Sequence, residues 1–175
     1  MPSVNIARPS STEYAPFYAA YVSQVPDGDL LGHLERQGRS TVSLLRAISE
    51  QKSQHRYAPG KWTIREVIGH LIDAERVFTY RAMSFARGDA TPLPSFDETA
   101  WGAASNAGRR SMADLLAELE IIRAATLALF RGFSEEQFAR SGTASNNHIT
   151  VRALAYIVAG HERHHVKVLR ERYGV

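Results

Sequence analysis

His161 and His165 stand four residues apart in the segment YIVAGHERHHVKVLRER, residues 156–172. Positions four apart on an α-helix lie one turn apart on the same face, so both imidazoles can reach a single ion without distorting the backbone. In most helices such a pair is structural. Here Leu154, Val158, His161, His165 and Val168 step by four, three, four and three, so two histidines occupy the seam where a helical bundle expects leucine. A polar ring in that seam has to be paired or ligated to offset its burial. The chain has no cysteine, so any metal ligands are His, Asp or Glu.

A mononuclear site needs a third ligand, and His70 is the well-placed candidate. It lies in a predicted helix beside Val67, Ala74 and Val77, whereas His55 and His148 fall in loops, His33 sits beside Gln37, and His164 is off the seam. Taken alone, His70 would read as a buried histidine bonded to a carbonyl. His70 is seven residues after Thr63, and His165 and His161 are eight and twelve residues before Tyr173. If the two helices are antiparallel, all three imidazoles share one level. If they are parallel, the pair is displaced by roughly 6–12 Å and the site is strained. Three imidazoles grouped on one side leave positions for water or substrate, as catalytic sites do. A metal so held activates water or a thiol, or polarises a carbonyl. One divalent ion is the expected cofactor, zinc or nickel first, with iron, manganese or copper as further candidates.

His161-Glu162-Arg163-His164-His165 also matches HExxH, the motif in which Glu serves as general base of a zinc protease. Glu162 is therefore the catalytic candidate, against the plainer reading of a surface carboxylate near Arg163. The protease context is missing: no histidine occurs in the ten residues after His165, and Glu171 is on the same helix. Asp73 either orients an imidazole or pairs with Arg76 or Arg65, and Trp62, Trp101 and the stretch Pro94–Asp97 are candidates to border a pocket.

Four amphipathic segments must position these groups. The first runs from Asp29 to about Ser49, with Leu31, Leu34, Val42, Leu45 and Ile48 at three- and four-residue steps. Thr63-Ile64-Arg65-Glu66 reads as a capping box opening a second helix, which ends at Gly88. Ser111 caps a third that ends near Gly132, and Thr150 caps a fourth that ends at Tyr173 before Gly174. Residues 88–110, about 23 in number, are far longer than a hairpin between neighbouring helices needs, and so permit a crossover. No alternation is long enough to build a sheet. Residues 1–27, rich in proline and serine with Tyr14, Phe17, Tyr18 and Tyr21 between, read as an N-terminal arm packed on a domain of residues 28–175.

At 175 residues with 44% hydrophobic and 22% charged, the chain fits a single globular domain. The net charge of +3 is spread among acids without a basic stripe, which argues against a nucleic-acid partner. No run approaches the ~20 apolar residues of a membrane span, and the start lacks the pattern of a signal peptide, so no membrane partner and a cytoplasmic location are expected.

The segments YAPGKWTIREVIGHLIDAERVFTYR (57–81), with His70, and YIVAGHERHHVKVLRER (156–172), with His161 and His165, resemble those of the DinB/YfiT-like family of metal-binding four-helix bundles. The resemblance covers about residues 28–173. It implies an all-α, up-down-down-up four-helix bundle with a long crossover between helices 2 and 3, a three-histidine site and a homodimer. It also implies an enzyme of small-molecule scope, a thiol-dependent S-transferase using a low-molecular-weight thiol, or a hydrolase. The competing class is a non-catalytic metal-binding or interaction module.

Overall fold

Asp29, Thr63, Ser111 and Thr150 each accept a hydrogen bond from the backbone N–H three residues on, at 3.0 to 3.2 Å, and each opens a long helix. Such a side chain replaces an intrahelical partner that the first turn lacks. Thr63 and Glu66 complete the expected capping box. The computed structural model describes residues 6–175; the first five residues of the expected arm lie outside it. In chain order the elements are α1 (Ala19–Val22), α2 (Leu30–Arg46), α3 (Ile64–Ala86), α4 (Glu98–Ala104), α5 (Met112–Arg131), α6 (Glu135–Ala139), β1 (Ser141–Ala144), β2 (Asn147–Thr150) and α7 (Val151–Tyr173).

The four long helices α2, α3, α5 and α7 form the bundle, and contacts at their ends set its directions. The Tyr173 hydroxyl donates to the Trp62 carbonyl at 2.8 Å, joining the end of α7 to the start of α3, so these two run antiparallel. Arg131 meets Glu35 at 2.7 Å and Arg46 meets Glu120 at 3.3 Å, so α2 and α5 are antiparallel as well. Gln37 near the start of α2 donates to the Ala159 carbonyl, and Lys52 beyond its end donates to the Gly174 carbonyl, which makes α2 and α7 parallel. The order is up-down-down-up, and the connection from α3 to α5 travels the length of the bundle.

That connection holds more structure than a bare crossover. It contains α4 and a 3-10 turn at Ala107–Arg109, and its Leu93 pairs with the hairpin through Leu93 N–H to Thr143 O (2.9 Å) and Ser145 N–H to Leu93 O (3.0 Å). The expectation of no strands is corrected here. Residues 141–150 form a two-stranded antiparallel hairpin, with Gly142 opposite Ile149 and Ala144 opposite Asn147. Ser145 and Asn146 both have positive φ, 52° and 60°, the backbone of a tight two-residue turn whose twist suits paired strands. Only Ala144 and Ile149 of this polar stretch sit in the core, too few to register as strand periodicity.

The apolar core is divided into two clusters. One gathers Phe78, Phe85, Phe130, Leu154 and Val158 toward the hairpin; the other gathers Leu45, Ile68, Leu115 and Leu169 toward the opposite end. Between them lies a polar layer built from His70, Glu75, Arg123, His161 and Glu162, all buried. Residues 6–27 run over this side of the bundle. Gly160 lets the arm come close, since a Cβ there would lie 2.1 Å from the Tyr21 carbonyl oxygen.

Candidate metal centre

α3 and α7 bring His70, His161 and His165 together because they are antiparallel, which sets seven residues after one cap against eight and twelve before the other terminus. The His70 and His161 Nε2 atoms are 3.0 Å apart, those of His161 and His165 are 3.1 Å apart, and one ligand atom from each of the three lies within 4.8 Å of the others. A tetrahedral zinc with Zn–N near 2.0–2.1 Å holds its nitrogens about 3.3 Å apart, close to the His70–His161 and His161–His165 separations. The donor chemistry fits as well. A neutral imidazole has one N–H and one lone pair, and three Nε2 atoms facing one point are better matched by a shared cation than by hydrogen bonds among themselves.

Burial keeps these rings neutral. It lowers the His70 pKa to about 4. It lowers that of His165 to about 3, with the neighbouring His70 and His164 adding to the effect. His161, the most enclosed, is shifted down in the same direction, first by burial and then by His165, His70 and His164. Desolvation disfavours the charged imidazolium, so the lone pairs stay available for a cation across the neutral range.

Aromatic rings fence the cluster. Trp62 lies 4.8 Å from His70, Phe78 packs edge-on to His161 at 5.7 Å, and Tyr21 from α1 packs edge-on to both His161 and His164 at 5.4 Å. His70 and His161 open onto a cavity of about 360 Å³ whose other walls include Tyr18, Tyr21, Phe78, Arg81, Phe96 and Glu98. A larger groove of about 650 Å³ between α2 and α7, lined by Arg36, Arg163, Lys167 and Arg170, includes none of the three clustered histidines.

The remaining sequence candidates divide. His33, His55 and His148 stand outside the cluster. Asp73 is half-buried and lies 3.8 Å from Arg76, while Arg65 turns instead to Glu50. Phe96 from the Pro94–Asp97 stretch reaches the cavity; Trp101 packs tilted against Phe96, ring centres 5.1 Å apart, and is exposed. Glu162 is not the surface carboxylate of the plainer reading. It is buried, 2.8 Å from the Arg123 guanidinium, and also accepts from Gln37. Arg123 in turn grips Glu75 through Nε and Nη2 at 2.9 and 2.8 Å.

Sequence reasoning missed this buried triad and the cavity residues Arg81 and Glu98. A signal was present for Arg123 and Glu75: each sits at a core step, Leu119-Arg123-Leu127 on α5 and Leu71-Glu75-Phe78 on α3, where a charge is buried only if paired. Arg81 is eleven residues from His70, which returns it to the same helix face.

The comparisons with known proteins agree with this architecture. The chain matches the DinB superfamily over residues 33–169 and belongs to it. It is 24% identical over 174 residues, 98% of this chain and 96% of the relative, to the Bacillus subtilis (strain 168) protein named "Putative metal-dependent hydrolase YfiT". It is 27% identical over 151 residues to a Bacillus licheniformis protein named in the same way, covering 82% of this chain and 85% of that one. The solved structure of Bacillus subtilis YfiT, described as an unusual four-helix bundle topology, superposes with a TM-score of 0.75 at 22% identity over 98% of this chain and 99% of its own. A mycothiol-dependent maleylpyruvate isomerase superposes with a TM-score of 0.67 at 14% identity, over 83% of this chain and 61% of that one.

Proposed function

We propose that this chain is a metal-dependent enzyme acting on small molecules, with one divalent ion held by His70, His161 and His165, zinc or nickel before iron, manganese or copper. The observation that carries the reading is the convergence of three neutral imidazole nitrogens, two of them, from His70 and His161, at the wall of a cavity. Such an ion supplies a Lewis acid that lowers the pKa of a thiol or a water and polarises a carbonyl. The chain's own residues do the rest. The three rings present lone pairs, Tyr21 and Phe78 pack edge-on against His161, and the cavity admits a ligand beside His70 and His161.

Two reactions suit this arrangement, a thiol-dependent S-transfer and a hydrolysis. The names of the curated relatives favour hydrolysis, and the mycothiol-dependent fold neighbour favours a low-molecular-weight thiol as co-substrate. The test is to incubate metal-loaded protein with thiols plus electrophiles and, in parallel, with esters and amides. Metal-dependent thioether formation lost in His165→Ala supports the transferase; ester or amide cleavage with the same dependence supports the hydrolase. A non-catalytic metal-binding module would keep the histidines without a cavity beside them, and the cavity of about 360 Å³ favours the enzyme. The HExxH protease reading is weakened because Glu162 is held by Arg123 and Gln37. We further propose a cytoplasmic homodimer. The exposed Tyr80 and Ile121 are apolar surface that a partner copy would cover, and a monomeric mass by light scattering would refute the dimer.

A further inference from the structure

Three arginines are buried among the described residues: Arg65, Arg81 and Arg123. Arg65 meets Glu50, and Arg123 meets Glu75 and Glu162. Arg81, only 3% exposed, forms no ion pair within 4.0 Å of a carboxylate among the described residues, Glu98 across the same cavity included. Its Nη2 donates to the Pro94 carbonyl at 2.7 Å and to the Ser145 hydroxyl at 3.1 Å, both uncharged acceptors, and its guanidinium lies 6.0 Å from the Phe96 ring centre. A guanidinium withdrawn from water without an anion is costly, so a fold that keeps one aimed at a cavity is matched to an anion from outside.

Arg81 lines the same cavity as His70 and His161. Eleven residues at 100° each return to within about 20° of the starting direction, so His70 and Arg81 lie on one line along α3, about 16 Å apart at the Cα level. Ala74 lies between them on that line, and its small side chain leaves room for a ligand body, with Phe78 as an apolar wall and the Tyr18 phenol beside the Arg81 guanidinium. We propose that Arg81 binds the carboxylate of an elongated, partly apolar substrate whose reacting end lies at His70 and His161. This rests on the reading of the histidine cluster as the reactive centre. Glu98 on the same cavity argues for a single negative charge, since a phosphate dianion would be repelled more strongly.

The test is calorimetric titration of chelator-treated, metal-free protein with 4-phenylbutyrate and with its primary amide, alongside Arg81→Gln and Ser145→Ala. Working without metal separates this proposal from the metal reading, which the metal content of the untreated protein tests by itself. The expected result is at least tenfold tighter binding of the carboxylate than of the amide, with a preference that shrinks as salt is raised. The preference should vanish in Arg81→Gln and weaken in Ser145→Ala, which retains the charge but loses one hydrogen-bond partner of the guanidinium. Equal affinity for acid and amide in the unaltered protein overturns the proposal, whether or not Arg81→Gln folds. A preference that survives in folded Arg81→Gln, or that appears only after metal is restored, overturns it as well.

Discussion

Arg123 on α5 and Glu162 on α7 meet at 2.8 Å in the buried centre of the bundle, and the same guanidinium also holds Glu75 on α3 and donates to the Leu34 carbonyl on α2 at 3.0 Å. One side chain thus joins all four long helices. It does so one residue along α7 from His161, so the network that ties the helices together also fixes the turn that carries two of the three histidines.

Replacing Arg123 by Leu leaves two buried carboxylates facing each other without a cation. The expected loss is about 3–5 kcal/mol, the usual cost of removing one partner from a buried pair. Urea denaturation of the variant measures it, and a loss below about 1 kcal/mol would show that Glu75 and Glu162 are accommodated without the arginine. Glu162→Gln should lower stability while leaving metal content intact. A Glu162→Gln protein of unchanged stability that has lost all metal-dependent turnover would instead restore Glu162 as a base.

For the metal, protein purified without chelator should carry about one divalent ion per chain by elemental analysis. His70→Ala, His161→Ala and His165→Ala should each reduce this sharply, while His33→Ala and His55→Ala should not. Full occupancy in His70→Ala would remove that residue from the ligand set.

Gly160 tests the arm. A methyl group there would sit 2.1 Å from the Tyr21 carbonyl oxygen, a backbone atom with little freedom to yield. Gly160→Ala should cost about 1–3 kcal/mol by overpacking and push Tyr21 away from His161. Limited proteolysis within residues 6–27 should become faster, and an unchanged cleavage rate would mean that the arm adapts.

Glu13 predicts an acid dependence of stability. It is buried against the start of α7, where Arg152 and the Thr150 hydroxyl donate to its carboxylate. Burial alone would raise its pKa; the hydrogen bonds from Arg152, the Ser10 N–H and Thr150 outweigh that and hold it at about 2 against an ordinary 4.5. The folded value lies below the unfolded one, so the contribution is complete above about pH 4.5 and is lost as the pH falls toward 2. The difference corresponds to at most about 3 kcal/mol. In denaturant titrations the gap between the unaltered protein and Glu13→Gln should narrow from pH 7 to pH 3, and a constant gap would assign the effect to packing.

The sequence alone determined the four long helices and their starts, because caps are local: Asp29, Thr63, Ser111 and Thr150 act on N–H groups three residues away, and apolar spacing marks the buried face of each helix. It also singled out the histidine cluster, since an i,i+4 pair in a core seam is visible without knowing what lies opposite. The hairpin escaped because its register depends on Leu93 and Phe85, distant in the chain, while its own residues are mostly polar. What only the tertiary structure decided is direction and company. Antiparallel α3 and α7 bring His70 level with His161 and His165, Arg123 finds carboxylates on two other helices, and the arm's tyrosines reach the cavity across more than a hundred residues of chain. These choices come from which faces bury together, a property of the assembled core that no single segment contains.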